Sequence, residues 1–137
     1  MKMLAKIIIV EDDSFLQDFY RIFFRKIGGD IIILEDGSKI IQEIENGNVD
    51  LVIMDINLRN TYLNSEKMDG IHLSRYIKLN YESMNIPILL ITAYPISSVG
   101  DNLLAESMAD DYLIKPITDY NLLIQKINKL VYEHTEG

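Results

Sequence analysis

Short apolar runs, rich in β-branched residues, recur five times along the chain. Within each run the apolar residues follow one another without regular polar alternation. Continuous runs of this length are typical of strands buried on both faces, as in a parallel sheet covered by helices. The predicted strands are Lys6–Val10, Ile31–Leu34, Leu51–Met54, Ile86–Ile91 and Asp111–Ile114.

Segments with apolar residues at spacings of three and four separate these runs and predict helices. The helices are predicted over 14–27, 38–46 and 70–80, around Leu103–Met108, and from Leu122 to Val131. Gly28 and Gly29 end the first of them. Five strands alternating with five helices predict one doubly wound α/β domain, in which right-handed crossovers place helices on both faces of the sheet.

Composition narrows the class of protein. The chain has 137 residues, 48% of them hydrophobic, which is typical of one globular domain. The apolar runs are too short to span a bilayer, and no secretory signal precedes the first strand. The absence of cysteine excludes disulfides and thiolate zinc sites, and a net charge of −8 gives little attraction for nucleic acid. We therefore expect a cytoplasmic protein without a membrane or direct nucleic-acid partner.

Polar residues that suit one chemical task follow four of the five predicted strands, whereas Glu35-Asp36 after the second strand is typical of a turn. In doubly wound folds the functional groove lies at the carboxyl ends of the strands, so these residues are candidates for one site. They are Glu11, Asp12 and Asp13 after the first strand, Asp55 and then Asn57 after the third, Thr92 after the fourth, and Lys115 after the fifth.

The residue types suit phosphoryl chemistry beside a divalent metal. Two like charges at roughly 4 Å cost about 4 kcal/mol at an effective dielectric of 20, and magnesium relieves such repulsion through oxygen ligands. Asp13 and Asp55 can each offer a carboxylate oxygen, and Asn57 its backbone carbonyl. Asp55 is also the candidate nucleophile. Lys115 and Thr92 supply a positive charge and a hydroxyl donor for the phosphoryl oxygens.

Other interpretations remain open for single residues and for the whole site. Asp12 and Asp13 can be N-caps of the first helix, and Asp55 a loop acid. A phosphatase that forms an aspartyl phosphate is a rival class, although such sites typically place a second aspartate where this chain has Asn57. An interaction module that keeps the fold without the chemistry is another. A nucleotide-binding domain is disfavoured because no glycine-rich phosphate loop is present.

Five segments together resemble a response-regulator receiver domain, the phosphoacceptor part of two-component signalling. They are Ile9–Asp13, Leu51–Asp55, Met68–Gly70, Leu90–Ala93 and Ala109–Pro116. The resemblance covers roughly residues 5–132 of a single domain spanning 1–137. It implies a flavodoxin-like parallel sheet in the order 2-1-3-4-5, which chemotaxis regulators share.

The resemblance also implies roles for individual residues. Asp55 becomes the phosphoacceptor, with Asp12, Asp13, Asp55 and the Asn57 carbonyl around magnesium or manganese. The implied partners are a sensor histidine kinase or histidine phosphotransfer protein and an unidentified downstream protein. The chain would accept the phosphoryl group on itself and lose it slowly, without turning over another substrate as an enzyme does.

A switch is implied as well. Thr92 and Lys115 become the phosphoryl-binding pair, and the Lys115–Pro116 peptide bond is expected to be cis. Tyr112 stands at the position of an aromatic switch, and the alternative is a half-buried strand tyrosine. On phosphorylation, Thr92 would move toward the phosphate and Tyr112 inward, which would remodel the face of the fourth helix, fifth strand and fifth helix.

Other polar residues give weaker indications. Asp110 and Asp111 resemble the aspartates of receivers that dimerise through salt bridges, but the last helix offers only Lys126 and Lys129 and no arginine. A phosphorylation-dependent dimer therefore stays open. Neither histidine lies in a phosphodonor context, and we interpret His72 as an ordinary helix residue.

The loop after Asp55 departs from the family pattern. The interval to Gly70 is longer than the pattern by about seven residues, within 58–67, and Arg59 replaces the usual proline. One interpretation is a tolerated surface insertion, since loop length costs little. The other is a loop over the site that selects a partner or shields the phosphate. The sequence also leaves open whether the domain acts alone or within a larger regulator.

Tyr94 places a bulky side chain two residues after Thr92, at the mouth of the predicted site. We expect it to restrict water, so that the acyl phosphate on Asp55 decays slowly and Tyr94→Ala speeds its loss. Intact-mass spectrometry over time after removal of the donor measures this. Rapid decay that the substitution leaves unchanged contradicts the expectation.

Overall fold

Five strands form one parallel sheet, and two short strands form a separate hairpin. The computed structural model describes residues 5–93 and 96–136, of which 96–101 and 133–136 are described by their backbone alone. The strands are β1 (Lys6–Val10), β2 (Asp30–Leu34), β3 (Leu51–Asp55), β4 (Tyr62–Leu63), β5 (Glu66–Lys67), β6 (Ile88–Thr92) and β7 (Asp111–Ile114). The sheet order β2-β1-β3-β6-β7 confirms the predicted order 2-1-3-4-5 of its five strands.

Helices cover both faces of this sheet. They are α1 (Ser14–Ile27), α2 (Gly37–Asn46), α3 (Gly70–Asn80), α4 (Ile96–Ser107) and α5 (Tyr120–Glu136), with a 3₁₀ turn at Glu82–Met84. Asp13, Asp36 and Asp69 each cap a helix by accepting a hydrogen bond from an amide of its first turn. No helix in the described part of the chain is long and apolar enough to cross a membrane.

The sheet separates two apolar cores because successive strand residues point to opposite faces. In β1, Ile7 and Ile9 pack with α1 and α5, whereas Ile8 and Val10 pack with α2, α3 and α4. Burying such side chains stabilises the fold by about 1.5–3 kcal/mol each. This two-sided burial explains why the strands read as uninterrupted apolar runs.

Side chains of α3 hold the C-terminal end of α4. Ser74 Oγ donates to the carbonyl of Ser107 at 2.9 Å, and Arg75 donates to the preceding carbonyl of α4 at 3.2 Å. Lys78 Nζ lies 2.6 Å from Asp110 Oδ2, just beyond α4. Carbonyls that lack a partner within their own helix are therefore bound by the neighbouring helix.

The lengthened loop folds into the β4–β5 hairpin, which the sequence analysis did not predict. Its two-residue turn, Asn64–Ser65, has positive φ at both positions, as tight hairpin turns require. Leu63 is buried in the core on the α2 side. A methyl group on Gly37, the first residue of α2, would clash with the carbonyl oxygen of Tyr62. The hairpin is therefore packed closely against α2.

Candidate functional site

The predicted site residues meet at the carboxyl edge of the sheet. Asp55 ends β3, Thr92 ends β6, Lys115 follows β7 and Glu11 follows β1. The register aligns Asp55 with Ile91 of β6, so the ends of neighbouring strands lie level. Asp55 and Thr92 are almost completely buried, and the Lys115 backbone N–H donates to the Thr92 carbonyl at 2.7 Å.

Lys115 and Asp55 form the central ion pair. Lys115 Nζ lies 2.9 Å from Asp55 Oδ1 and 4.0 Å from Glu11 Oε1. Asp55 Oδ1 also accepts the backbone N–H of Asn57 at 3.2 Å. Two donors therefore hold one carboxylate oxygen of Asp55, which fixes the orientation of the side chain. A cis peptide bond joins Lys115 to Pro116.

Gly70 brings the start of α3 against the end of β3. Its backbone N–H donates to the Ile56 carbonyl at 3.0 Å. A Cβ at this position would clash with the Asp55 carbonyl and with Ile56. Only glycine allows this approach, so the Met68–Gly70 motif supports the backbone of the candidate nucleophile directly.

Three carboxylates cluster beside this ion pair. One oxygen each from Glu11, Asp12 and Asp55 lies within 4.8 Å of the others, which suits a hard divalent cation with oxygen ligands. Glu11 Oε1 is buried and has no hydrogen-bond partner among the described residues. A buried carboxylate oxygen without a donor is costly, and a bound cation removes that cost. The residues present therefore fit a magnesium site.

Burial strongly perturbs Glu11, whose side chain is 1% exposed. Desolvation, followed by repulsion from Asp55, raises the pKa of Glu11 from 4.5 to about 8. The buried Tyr20 lies on the α1 side of the sheet. Desolvation raises the pKa of its hydroxyl, and the charges of Glu11 and Asp55 add to the effect. Glu11 and Asp55 are thus shielded from solvent, and burial together with their mutual repulsion disfavours the charged form of Glu11.

Asp13, one of the predicted metal ligands, lies outside the carboxylate cluster of Glu11, Asp12 and Asp55. Its Oδ1 accepts the backbone N–H of Phe15 at 2.8 Å and that of Leu16 at 3.3 Å, which is the N-cap alternative for this residue. Glu11 lies in the carboxylate cluster instead. The sequence placed Glu11 among the candidate residues at the strand ends, but only Asp12, Asp13, Asp55 and the Asn57 carbonyl were predicted as metal ligands. The available signal was its position directly after a fully buried strand.

Asp12 contacts the lengthened loop. Its Oδ2 accepts the backbone N–H of Arg59 at 2.6 Å and that of Asn60 at 3.3 Å. Asn57 is exposed, and its carbonyl as a metal ligand stays a prediction. The loop and the acid cluster are therefore one connected structure.

The predicted switch face contains several polar contacts. Tyr112 is half-buried against the core on the α4 side, with Lys126 Nζ 5.7 Å from its ring centroid. Lys126 also lies 2.9 Å from Asp111 Oδ2. Asp110 and Asp111 are thus both paired with lysines of their own chain. Tyr94 lies outside the described residues, and so does the side chain of His134.

His72 is not among the residues that form the carboxylate cluster or the Lys115–Asp55 ion pair. Its ring Nδ1 lies 2.8 Å from Asp69 Oδ1 on the exposed start of α3. This contact agrees with its interpretation as an ordinary helix residue.

Comparison with known proteins identifies one family. The family model for the response regulator receiver domain matches residues 7–128. The sensor kinase/phosphatase CqsS of Vibrio cholerae is 30% identical over 129 residues, covering 89% of this chain and 17% of CqsS. The uncharacterized transcriptional regulatory protein YclJ of Bacillus subtilis is 32% identical, with 86% and 47% covered. The chain thus spans less than half of either relative.

Solved structures show the same fold. A CheY-like response regulator receiver domain protein from Methanospirillum hungatei matches with a TM-score of 0.74 and 26% identity, covering 98% of this chain and 99% of that one. The receiver domain of the sensor histidine kinase PA1611 from Pseudomonas aeruginosa matches with a TM-score of 0.75 and 23% identity, covering 94% and 98%. That structure is described with a magnesium ion in its active site cleft.

The pKa of Glu11 predicts a pH-dependent stability in metal-free protein. Because the folded pKa of about 8 exceeds the ordinary glutamate value of 4.5, the contribution of Glu11 is complete below about pH 4.5 and is lost as pH rises through 8. Glu11→Gln removes this loss. Relative to the variant, the wild type should lose a few kcal/mol of unfolding free energy over that range, since one pKa unit is about 1.4 kcal/mol.

Urea unfolding between pH 4 and 9 in the presence of a chelator measures this difference. Glu35→Gln, at an exposed position, is the matched control and should keep the pH profile of the wild type. Parallel profiles for the wild type and Glu11→Gln contradict the expectation.

Proposed function

The chain belongs to the response regulator receiver domain family, and from that premise we propose that Asp55 accepts a phosphoryl group from a phosphohistidine. The observation that carries this proposal is the buried Asp55 with Lys115 Nζ 2.9 Å from its Oδ1, inside a carboxylate cluster. Lys115 and the Asn57 amide occupy Oδ1, which leaves the other oxygen of Asp55 for the attack.

The proposed phosphoryl transfer is a displacement at phosphorus. The carboxylate oxygen of Asp55 forms a new P–O bond, the P–N bond of the phosphohistidine breaks, and the imidazole leaves with the electron pair. The product is an acyl phosphate on Asp55. Lys115 and the hydroxyl of Thr92 stabilise the phosphoryl oxygens from the ends of the adjacent strands. The chain is then its own substrate, with slow hydrolysis rather than turnover as an enzyme.

Glu11, Asp12 and Asp55 would hold magnesium, or manganese, together with the Asn57 carbonyl. Asp13 then serves as the cap of α1 rather than as a ligand. When bound, the metal supplies positive charge for the phosphoryl oxygens and offsets the repulsion among the carboxylates. The magnesium ion described in the active site cleft of the PA1611 receiver supports a magnesium site here.

The face beside the site supports a protein as the phosphodonor. Phe15 on α1 is 80% exposed, and Ile22 and Tyr120 are also exposed large apolar residues. These residues line a groove of about 720 Å³ that reaches Lys115. Exposed apolar surface of this kind marks interaction sites. A sensor histidine kinase or histidine phosphotransfer protein in the cytoplasm would dock here and present its phosphohistidine to Asp55.

A second surface, formed by α4, β7 and α5, would transmit the signal to the downstream partner. Thr92 and Lys115 are joined through their backbones, and Tyr112 lies three residues before Lys115 on β7. Movement of Thr92 toward a phosphoryl group would free space for Tyr112 to turn inward. We propose that the changed surface of α4, β7 and α5 binds the downstream partner.

Asp55 phosphorylation is tested with acetyl phosphate and magnesium. We expect one phosphoryl adduct by intact-mass spectrometry on the wild type, and none on Asp55→Asn or after chelation of the metal. The Asp36→Asn variant is a matched control, because Asp36 caps α2 away from the cluster, and it should be modified normally.

The result also decides among three candidate functions. An adduct that requires Asp55 and magnesium supports the phosphoacceptor. Failure of acetyl phosphate and of phosphorylated histidine donors alike favours an interaction module that acts without phosphorylation. Turnover of a small phosphoester favours the phosphatase class.

The switch is tested with beryllofluoride, a stable mimic of the phosphoryl group, in the presence of magnesium. We expect backbone amide shifts at Thr92 and Tyr112 and along α4, β7 and α5, because the hydroxyl of Thr92 follows the mimic. Asp55→Asn should abolish these shifts in two-dimensional NMR spectra. Unchanged resonances on this face in a protein that binds the mimic contradict the switch.

A further inference from the structure

We propose that the lengthened loop, residues 58–67, is a positioning element for the acid cluster. The backbone amides of Arg59 and Asn60 orient Asp12 so that it can bind a divalent cation. This inference rests on the proposed metal-dependent function. It goes beyond that function by assigning a role to a segment that is neither ligand nor nucleophile.

First, the two oxygens of the Asp12 carboxylate have different roles. Both amides donate to the same oxygen, Asp12 Oδ2, at 2.6 and 3.3 Å. A carboxylate has about four acceptor sites over its two oxygens, so the other oxygen remains available to a cation. Hydrogen bonds to an ionised group are among the stronger ones, and those to a metal ligand commonly fix its orientation.

The second step is that the donors are themselves held in place. Leu58, directly before Arg59, is buried in the core, and so is Leu63 in β4. The Met68 amide donates to the Thr61 carbonyl at 2.8 Å and closes the base of the hairpin. Close contact with Gly37 seats β4 on α2. The amides that reach Asp12 therefore belong to a packed structure.

The third step concerns Arg59, which stands where the family resemblance led us to expect proline. Proline has no backbone N–H and could not make the shorter of the two hydrogen bonds. Because position 59 is arginine and not proline, its backbone N–H is available as a donor to Asp12. The hydrogen bond depends on the backbone alone, because the donor is the Arg59 amide and not its guanidinium group.

Arg59→Pro and Arg59→Ala separate the amide from the side chain. Arg59 has no positive φ in the structure, so proline is compatible with the sign of its backbone angle. Arg59→Pro removes the N–H and should weaken magnesium binding about tenfold, the lower end for loss of a ligand-orienting group. Arg59→Ala keeps the N–H and removes a positive charge, so magnesium should bind as tightly as in the wild type or slightly more tightly.

Isothermal titration with magnesium, without any phosphodonor, measures the affinities, and thermal unfolding in a chelator checks the fold. Gly37→Ala is a second variant, remote from the acids in sequence. Its added methyl group pushes β4 from α2 and should also weaken magnesium binding. In the wild type, hydrogen exchange should show protection of the Arg59 and Asn60 amides relative to the exposed hairpin turn at Asn64–Ser65.

The outcomes separate this inference from the proposed function. Wild type that binds no magnesium overturns the metal site itself. Wild type that binds magnesium, with Arg59→Pro and Gly37→Ala equal to it, overturns only the positioning role. Tighter binding by Arg59→Pro also overturns it, since the amides would then compete with the cation. Unprotected Arg59 and Asn60 amides in the wild type contradict the proposal even if a variant fails to fold.

Discussion

The burial of two carboxylates side by side, Glu11 and Asp55, is the constraint on which the rest of the structure depends. Each is almost inaccessible to solvent, and an isolated buried charge is among the least favourable arrangements in a protein. Lys115 compensates part of this charge through its contact with Asp55. The remaining imbalance falls on Glu11, whose buried Oε1 accepts no hydrogen bond from the described residues and whose pKa is raised. A bound cation would therefore stabilise the domain by offsetting the unfavourable burial of these carboxylates.

The fold makes this arrangement possible by fixing the backbone segments that carry the charged groups. The charged groups sit at or next to strand ends whose register is set by the buried runs behind them. Gly70 lets α3 approach the last peptide of β3. The Arg59 amide, in the segment that leads into the hairpin, donates to Asp12. Each of these supports uses a backbone group of a neighbouring segment, so the geometry depends on packing of the whole domain.

Much of this architecture can be predicted from sequence. The five strands and their helices follow from hydrophobic periodicity, and Asp55, Thr92 and Lys115 follow from the rule that sites lie at strand ends. The comparison with known families confirms the family, and the structure confirms the strand order. Both results come from long, strongly patterned segments, in which local and tertiary preferences agree.

Two features could not be predicted, for different physical reasons. Glu11, Asp12 and Asp13 are consecutive acids, and their directions depend on where β1 ends and α1 begins, a boundary that sequence places only within a residue or two. The β4–β5 hairpin has strands of two residues, too short for any periodicity. Its stability comes from contacts with α2, which are distant in sequence.

The hydrogen bonds from α3 to the C-terminal end of α4 have a mechanical consequence. With its last carbonyls bound to Ser74 and Arg75, α4 is fixed at its C-terminal end and resembles a lever with a pivot there. Its 12 residues span roughly 18 Å at 1.5 Å per residue. A tilt of about 10° would leave the pivot in place and carry the opposite end about 3 Å over that length. A displacement too small to disturb the core can thus become large at the far end of one helix.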